Sequence, residues 1–178
     1  MKRILTRLLL LTLPIVWLLV SPAPGLPNGC LRVMTPEELV NEATLIARVK
    51  VTRVDRASFG GVYNQLATLR INEVVDGDST LKDQEVKVWA KSRVACANDA
   101  YALGEELLVF LVREVTFYRT LNYQYGKFHV SNEQVLGWRD RERGEIVKTY
   151  PEVALQIRAI RTPQANEQGT PAAATPRP

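Results

Sequence analysis

Cys30, Cys96 and His129 are the two cysteines and the one histidine of this 178-residue chain, and they have the widest chemical repertoire in it. A thiol beside an imidazole makes a nucleophile–base pair. That pair needs a third group to orient the ring, and spacing places no acidic residue for the task. One histidine is too few for a two-histidine metal site, and two cysteines are too few for a multi-cysteine zinc module. In an oxidising compartment two thiols pair, and two cysteines allow one intramolecular connectivity. Such a bridge closes a loop of about 65 residues, worth about 4 kcal/mol in the chain-entropy description. Gly29-Cys30 also looks like the end of a bacterial lipoprotein box, which would put a lipid anchor on Cys30.

The carboxylates offer less. Asp76-Gly77-Asp78-Ser79 invites a calcium reading, but the alternating aspartates and distal glutamate of a calcium loop are missing, so the segment reads as a turn. Glu105-Glu106 are adjacent, so on a strand they point to opposite faces and cannot converge on one substrate atom. No Gly-x-Ser-x-Gly is present. The expectation is a protein that is not an enzyme, with no metal and no cofactor. A lone His129 between Phe128 and Val130 reads as an ordinary strand residue.

The compartment follows from the first 25 residues. Met1–Arg7 is short and basic, Leu8–Val20 is apolar, and Ser21-Pro22-Ala23-Pro24-Gly25 is small and turn-forming. This is the order of a cleavable signal peptide, and the apolar run is too short for a comfortable membrane span. Small residues at Ala23 and Gly25 direct cleavage before Leu26. The expected location is secreted, periplasmic or cell-envelope. The formal charge of +4 shrinks to +1 once Lys2, Arg3 and Arg7 are removed. The rest mixes signs, as in Arg139-Asp140-Arg141-Glu142-Arg143, which argues against a nucleic-acid partner.

The elements that must position these residues are mostly strands. Thr35-Pro36-Glu37-Glu38 predicts a short helix opened by a capping box. Leu45, Ala47, Val49 and Val51 alternate with more polar neighbours up to Phe59-Gly60-Gly61, where a turn is due. Tyr63–Val75 returns with Ala67, Leu69 and Ile71 on one face; Val86, Val88 and Ala90 form another inward face, with Lys87, Trp89 and Lys91 outward. Leu107–Val112 is continuously apolar, as in a strand covered on both faces. A loop with Tyr118, Tyr123 and Tyr125 follows, then short strands at Gly126–Val130 and Val135–Trp138. Thr149-x-x-Glu152 opens a last helix with Val153, Ile157 and Ile160 on one side. Residues 26–161 form one domain on this reading, and 162–178, rich in Pro, Ala and Thr, form a disordered tail. The fold class is mainly β: a five- to six-stranded OB-like Greek-key barrel with a short N-terminal helix and a C-terminal helix packed on it.

An ordered set of segments resembles the netrin-like superfamily, and within it the N-terminal domain of the tissue inhibitors of metalloproteinases. Cys30 stands at the front, and Asn41–Val49 leads into the first strand. Leu69–Gly77 ends in a turn, Ser92–Cys96 forms a cysteine loop, and Gly104–Val109 and Gly126–Val130 open later strands. The resemblance spans about residues 30–138. It implies a disulfide between Cys30 and Cys96, and a protein partner met at the barrel rim and the loops around those cysteines. Candidate contact residues are Cys30, Leu31, Arg32, Arg93, Val94, Tyr118, Tyr123 and Tyr125. It also implies an alternative, a metalloprotease partner whose zinc is chelated by Cys30 at the mature amino terminus. That requires cleavage between Gly29 and Cys30. In either case the expected role is that of a secreted or envelope-associated binding module.

Overall fold

A computed structural model describes residues 31–94, 96–140 and 144–162. The predicted signal segment, Cys30 and the tail from Pro163 lie outside the described residues.

Helix α1 (Pro36–Glu42) starts as its sequence requires. The Thr35 hydroxyl accepts the Glu38 N–H at 3.3 Å, and the Glu38 carboxylate accepts the Thr35 N–H at 2.9 Å. Eight strands follow: β1 (Leu45–Phe59), β2 (Tyr63–Asp76), β3 (Glu85–Ser92), β4 (Glu106–Arg113), β5 (Tyr118–Thr120), β6 (Lys127–Ser131), β7 (Gln134–Asp140) and β8 (Gly144–Thr149). Helix α2 (Tyr150–Arg161) closes the described domain.

The ladder runs β1-β2-β3-β5-β4 and returns to β1 through six antiparallel pairs from Leu45↔Leu111 to Lys50↔Glu106. β3 and β5 are parallel, and the other pairings in the ring are antiparallel. This is a closed five-stranded Greek-key barrel of OB type, as the strand pattern implied. Strands β6, β7 and β8 extend it: β6 pairs with the edge of β4 ahead of the stretch that β5 occupies, and β7 and β8 add outward. The total of eight exceeds the five or six expected. β5 lies inside what read as a loop, and β8 lies just beyond the mixed-charge run 139–143.

Two cores share β1 and β4. Leu45, Ala47, Val49, Ala67, Leu69, Val88, Leu107, Val109 and Leu111 fill the barrel. The intervening Ile46, Leu108 and Phe110 turn the other way and meet Leu39, Val40, Phe128, Trp138, Val153 and Ile157 beneath the helices. The uninterrupted apolar run in β4 therefore has a simple cause: both of its faces are buried. Trp138 reaches this outer core because β7 is irregular between Val135 and Trp138, where Gly137 takes φ +78°. The extra residue puts Val135 and Trp138 on the same side, and both are fully buried. Arg161 fastens α2 to the barrel. Its Nε meets Asp76 Oδ2 at 2.8 Å, and its guanidinium donates to the Ala43 carbonyl, the C-cap of α1, at 2.6 Å.

Candidate functional site

The barrel's β1–β2 hairpin and β4–β5 connection come together at one end. At the hairpin tip Gly60 and Gly61 take φ +58° and +69°, and the Val62 N–H donates to the Phe59 carbonyl at 3.1 Å. Two successive left-handed residues suit a tight hairpin, and glycine adopts them without strain. The β4–β5 connection is drawn tight by the Glu114 N–H donating to the Phe117 carbonyl at 2.9 Å, and by a 2.8 Å ion pair between Arg119 and Glu114.

An aromatic cluster links the two loops. Phe59 stacks on Trp89 of β3 at 5.2 Å between centroids, and Phe117 meets Phe59 edge-on at 5.0 Å and Trp89 at 6.4 Å. These rings sit outside the barrel interior, and much of the surface around them is apolar. Phe59 is 44% exposed, Val62 41% and Val115, at the β4–β5 tip, 93%. Alternation along β3 directs Trp89 outward, whereas Phe59-Gly60-Gly61 reads in sequence only as the approach to a turn. The available signal was positional: in an OB-type barrel the loop between the first two strands and the loop entering the fifth fall at the same end, which puts Phe59 and Phe117 together.

Beside the rings the strand ends form an open hollow of about 500 Å³ lined by Arg56, Ala57, Ser58, Asn64, Lys91 and Arg93. Arg93 is held there twice. Its N–H donates to the Val62 carbonyl at 2.9 Å, and its guanidinium donates to Asn64 Oδ1 at 3.1 Å. Lys91 takes φ +54°, unusual for a residue with a side chain. Among the described residues none of the three cations is ion-paired.

The residues singled out from sequence scatter around this end. Arg93 lies on it, tied to the hairpin, and the Val94 N–H beside it donates to the Ser92 hydroxyl at 3.1 Å. Tyr118 follows Phe117 but is half-buried and packs against the barrel core. Tyr123 and Tyr125 sit in a 3₁₀ turn (Tyr123–Gly126) whose Gln124 accepts the Asn98 N–H at 2.8 Å and donates to the Cys96 carbonyl at 3.0 Å. Leu31 and Arg32 precede α1, and Arg32 pairs with Glu38 at 2.6 Å. Cys96 is exposed; its expected partner Cys30 lies outside the described residues.

The remaining titratable candidates have structural work. Asp78 accepts from the Thr80 N–H and hydroxyl at 3.0 and 2.6 Å, which holds its carboxyl below the ordinary value. Glu105 accepts the Ala102 N–H at 2.8 Å, while Glu106 reaches Arg48 at 3.4 Å, so the adjacent pair diverges as alternation requires. His129 is exposed on β6. Lys127 donates to the Ala100 carbonyl and lies over the Tyr101 ring, 4.7 Å from its centroid; burial lowers the pKa of this ammonium. Tyr101 in turn bonds Thr120 at 2.7 Å, and its backbone exchanges two hydrogen bonds with the Gln65 amide, at 2.8 and 3.0 Å. This set pins the segment between β3 and β4 across the barrel. No group of three or more His, Cys, Asp or Glu side chains able to hold a metal is found among the described residues, and no helix among them is long and apolar enough to cross a membrane.

Fold and site together define a closed OB-type barrel with a mixed aromatic and basic rim. Comparison with family profiles, curated proteins and solved structures gives no match to the chain.

Proposed function

We propose that the chain is a secreted or envelope-associated, non-enzymatic binding module that docks a protein partner at the loop end of its barrel. The observation that carries this reading is the exposed apolar rim made by Phe59, Val62 and Val115 around a stacked aromatic cluster. Single exposed apolar residues are common, but several gathered on two loops and rimmed by cations suit an interface. Aromatic residues also contribute disproportionately to protein–protein contacts. The signal-like leader supports export, and an oxidising destination supports a Cys30–Cys96 staple. The barrel order is compatible with kinship to the netrin-like superfamily, but a fold by itself names no partner.

The test is paired capture from the secreted and envelope fractions of the native organism. Wild type should retain a partner that a Phe59→Ser/Val115→Ser variant loses and a Leu155→Ser variant, altered on an exposed position of α2, keeps. Equal recovery on all three, or loss with Leu155→Ser alone, overturns the rim as the docking surface.

A further inference from the structure

We infer that the hollow beside the aromatic cluster receives an acidic polypeptide segment, its carboxylates against Arg56, Lys91 and Arg93 and an apolar side chain against Phe59. This deepens the protein-binding reading and rests on it.

Three observations converge on the inference. The first is charge: the hollow brings three cations together with Ser58 and Asn64, contains no carboxylate in its lining, and leaves all three without an ion pair among the described residues. Three cations lining one hollow give it a positive potential that favours an incoming anion. The second is organisation. The Arg93 backbone is tied to Val62 and its guanidinium is aimed by Asn64, so part of its side-chain freedom is already restricted before a carboxylate arrives. The third is composition of the surroundings. Trp89 lies two residues before Lys91, about 7 Å along the strand, and Ser58 of the hollow precedes the half-exposed Phe59. Apolar and cationic contacts thus fall within one short stretch of extended chain.

The same features disfavour a nucleic-acid strand. Base stacking needs open ring faces, and Phe59 and Trp89 already stack on each other, with Phe117 against both. A phosphate backbone needs a basic stripe along its length, whereas the neighbouring surface carries Asp55 and Glu114, paired to Arg53 and Arg119.

The experiment uses the mature chain and a fluorescein-labelled peptide, Glu-Glu-Leu-Glu-Glu-Phe-Glu-Glu, with its Lys-for-Glu counterpart and a fifteen-residue oligothymidylate as the other probes, all followed by anisotropy. Wild type should bind the acidic peptide at least ten-fold more tightly than either other probe. Lys91→Gln/Arg93→Gln should weaken it about ten-fold or more with an unchanged melting temperature. Lys91→Glu/Arg93→Glu should reverse the preference toward the Lys peptide, an outcome that misfolding cannot produce. Indifference of the acidic peptide to these substitutions, or tighter binding of the oligothymidylate, overturns the inference. If the peptide fails while Phe59→Ser/Val115→Ser still loses the captured partner, the acidic segment is wrong and the rim reading stands. If neither changes, both fall.

Discussion

Phe110→Ala is the perturbation that most sharply probes how the two cores are joined. Phe110 is fully buried on the outer face of β4, with Phe128 at 5.8 Å on one side and Trp138 at 6.1 Å on the other. Removing the ring abolishes both contacts and leaves a cavity walled by a sheet and two helices, which cannot easily collapse. Large-to-small changes of this kind cost about 3–5 kcal/mol, of which the two aromatic pairs account for about 1–3 kcal/mol. A domain this size has only about 5–15 kcal/mol in total, so the variant should be close to the limit of folding at 37 °C. Urea unfolding is the assay, followed by tryptophan fluorescence and by far-ultraviolet circular dichroism. With a slope near 1.5 kcal/mol/M, the midpoint should fall by about 2–3 M. Because Ile46 and Phe110 belong to one core and Ala47 and Val109 to the other, on the same two strands, the two probes should give one coincident transition. A loss under about 1 kcal/mol, or a barrel that outlasts the helices in a second transition, refutes the shared-strand account.

Gly126→Ala should destabilise on the order of 3 kcal/mol, measured by thermal melting, because an added Cβ would overlap the Leu121 carbonyl oxygen, a backbone atom that cannot swing aside. The acid limb of stability should depend on Glu133 and Glu152. Hydrogen bonds from Arg48 and from Thr149 hold these carboxyls below their ordinary 4.5, so their contribution is present above that pH and is lost as pH falls through the lower folded values. Glu133→Gln should flatten part of the decline in melting temperature below pH 4.5, and an unchanged profile contradicts the pairing. Reduction of the exported chain should lower its stability by about 4 kcal/mol if Cys30 is bridged to Cys96. Alkylation of both thiols in unreduced material rules that bridge out.

Much of the barrel can be read directly because its strands are long and have one dry face. In β1, β2 and β3 the alternation of Val49, Leu69 or Val88 with polar neighbours reports which side meets the interior, and in β4 the lack of alternation reports burial on both sides. Both helices are announced by a Thr-Pro or Thr-Tyr-Pro start with glutamate at the third position. β5 is only three residues long and is held by partners far away in sequence, so Tyr118–Thr120 carries no period to detect. β8 follows a mixed-charge run, and Val147 is largely exposed, which hides its pairing with β7. The rim was the least legible part. Phe59, Trp89 and Phe117 come from three separate segments, and they meet through the β1–β2 hairpin and the parallel pairing of β3 with β5, in which Val88 and Trp89 face Tyr118 and Arg119. Of the three tyrosines between β4 and β6, Tyr118 lies against the barrel core, and Tyr123 and Tyr125 belong to the turn whose Gln124 donates to the Cys96 carbonyl.

Hydrogen exchange on the mature chain, alone and bound to the protein captured by the wild-type form, tests the central claim most directly. The account predicts new protection confined to residues 59–63, 89–94 and 114–118. Protection falling instead on α2 and the outer edge of β8, with those three segments unchanged, contradicts it.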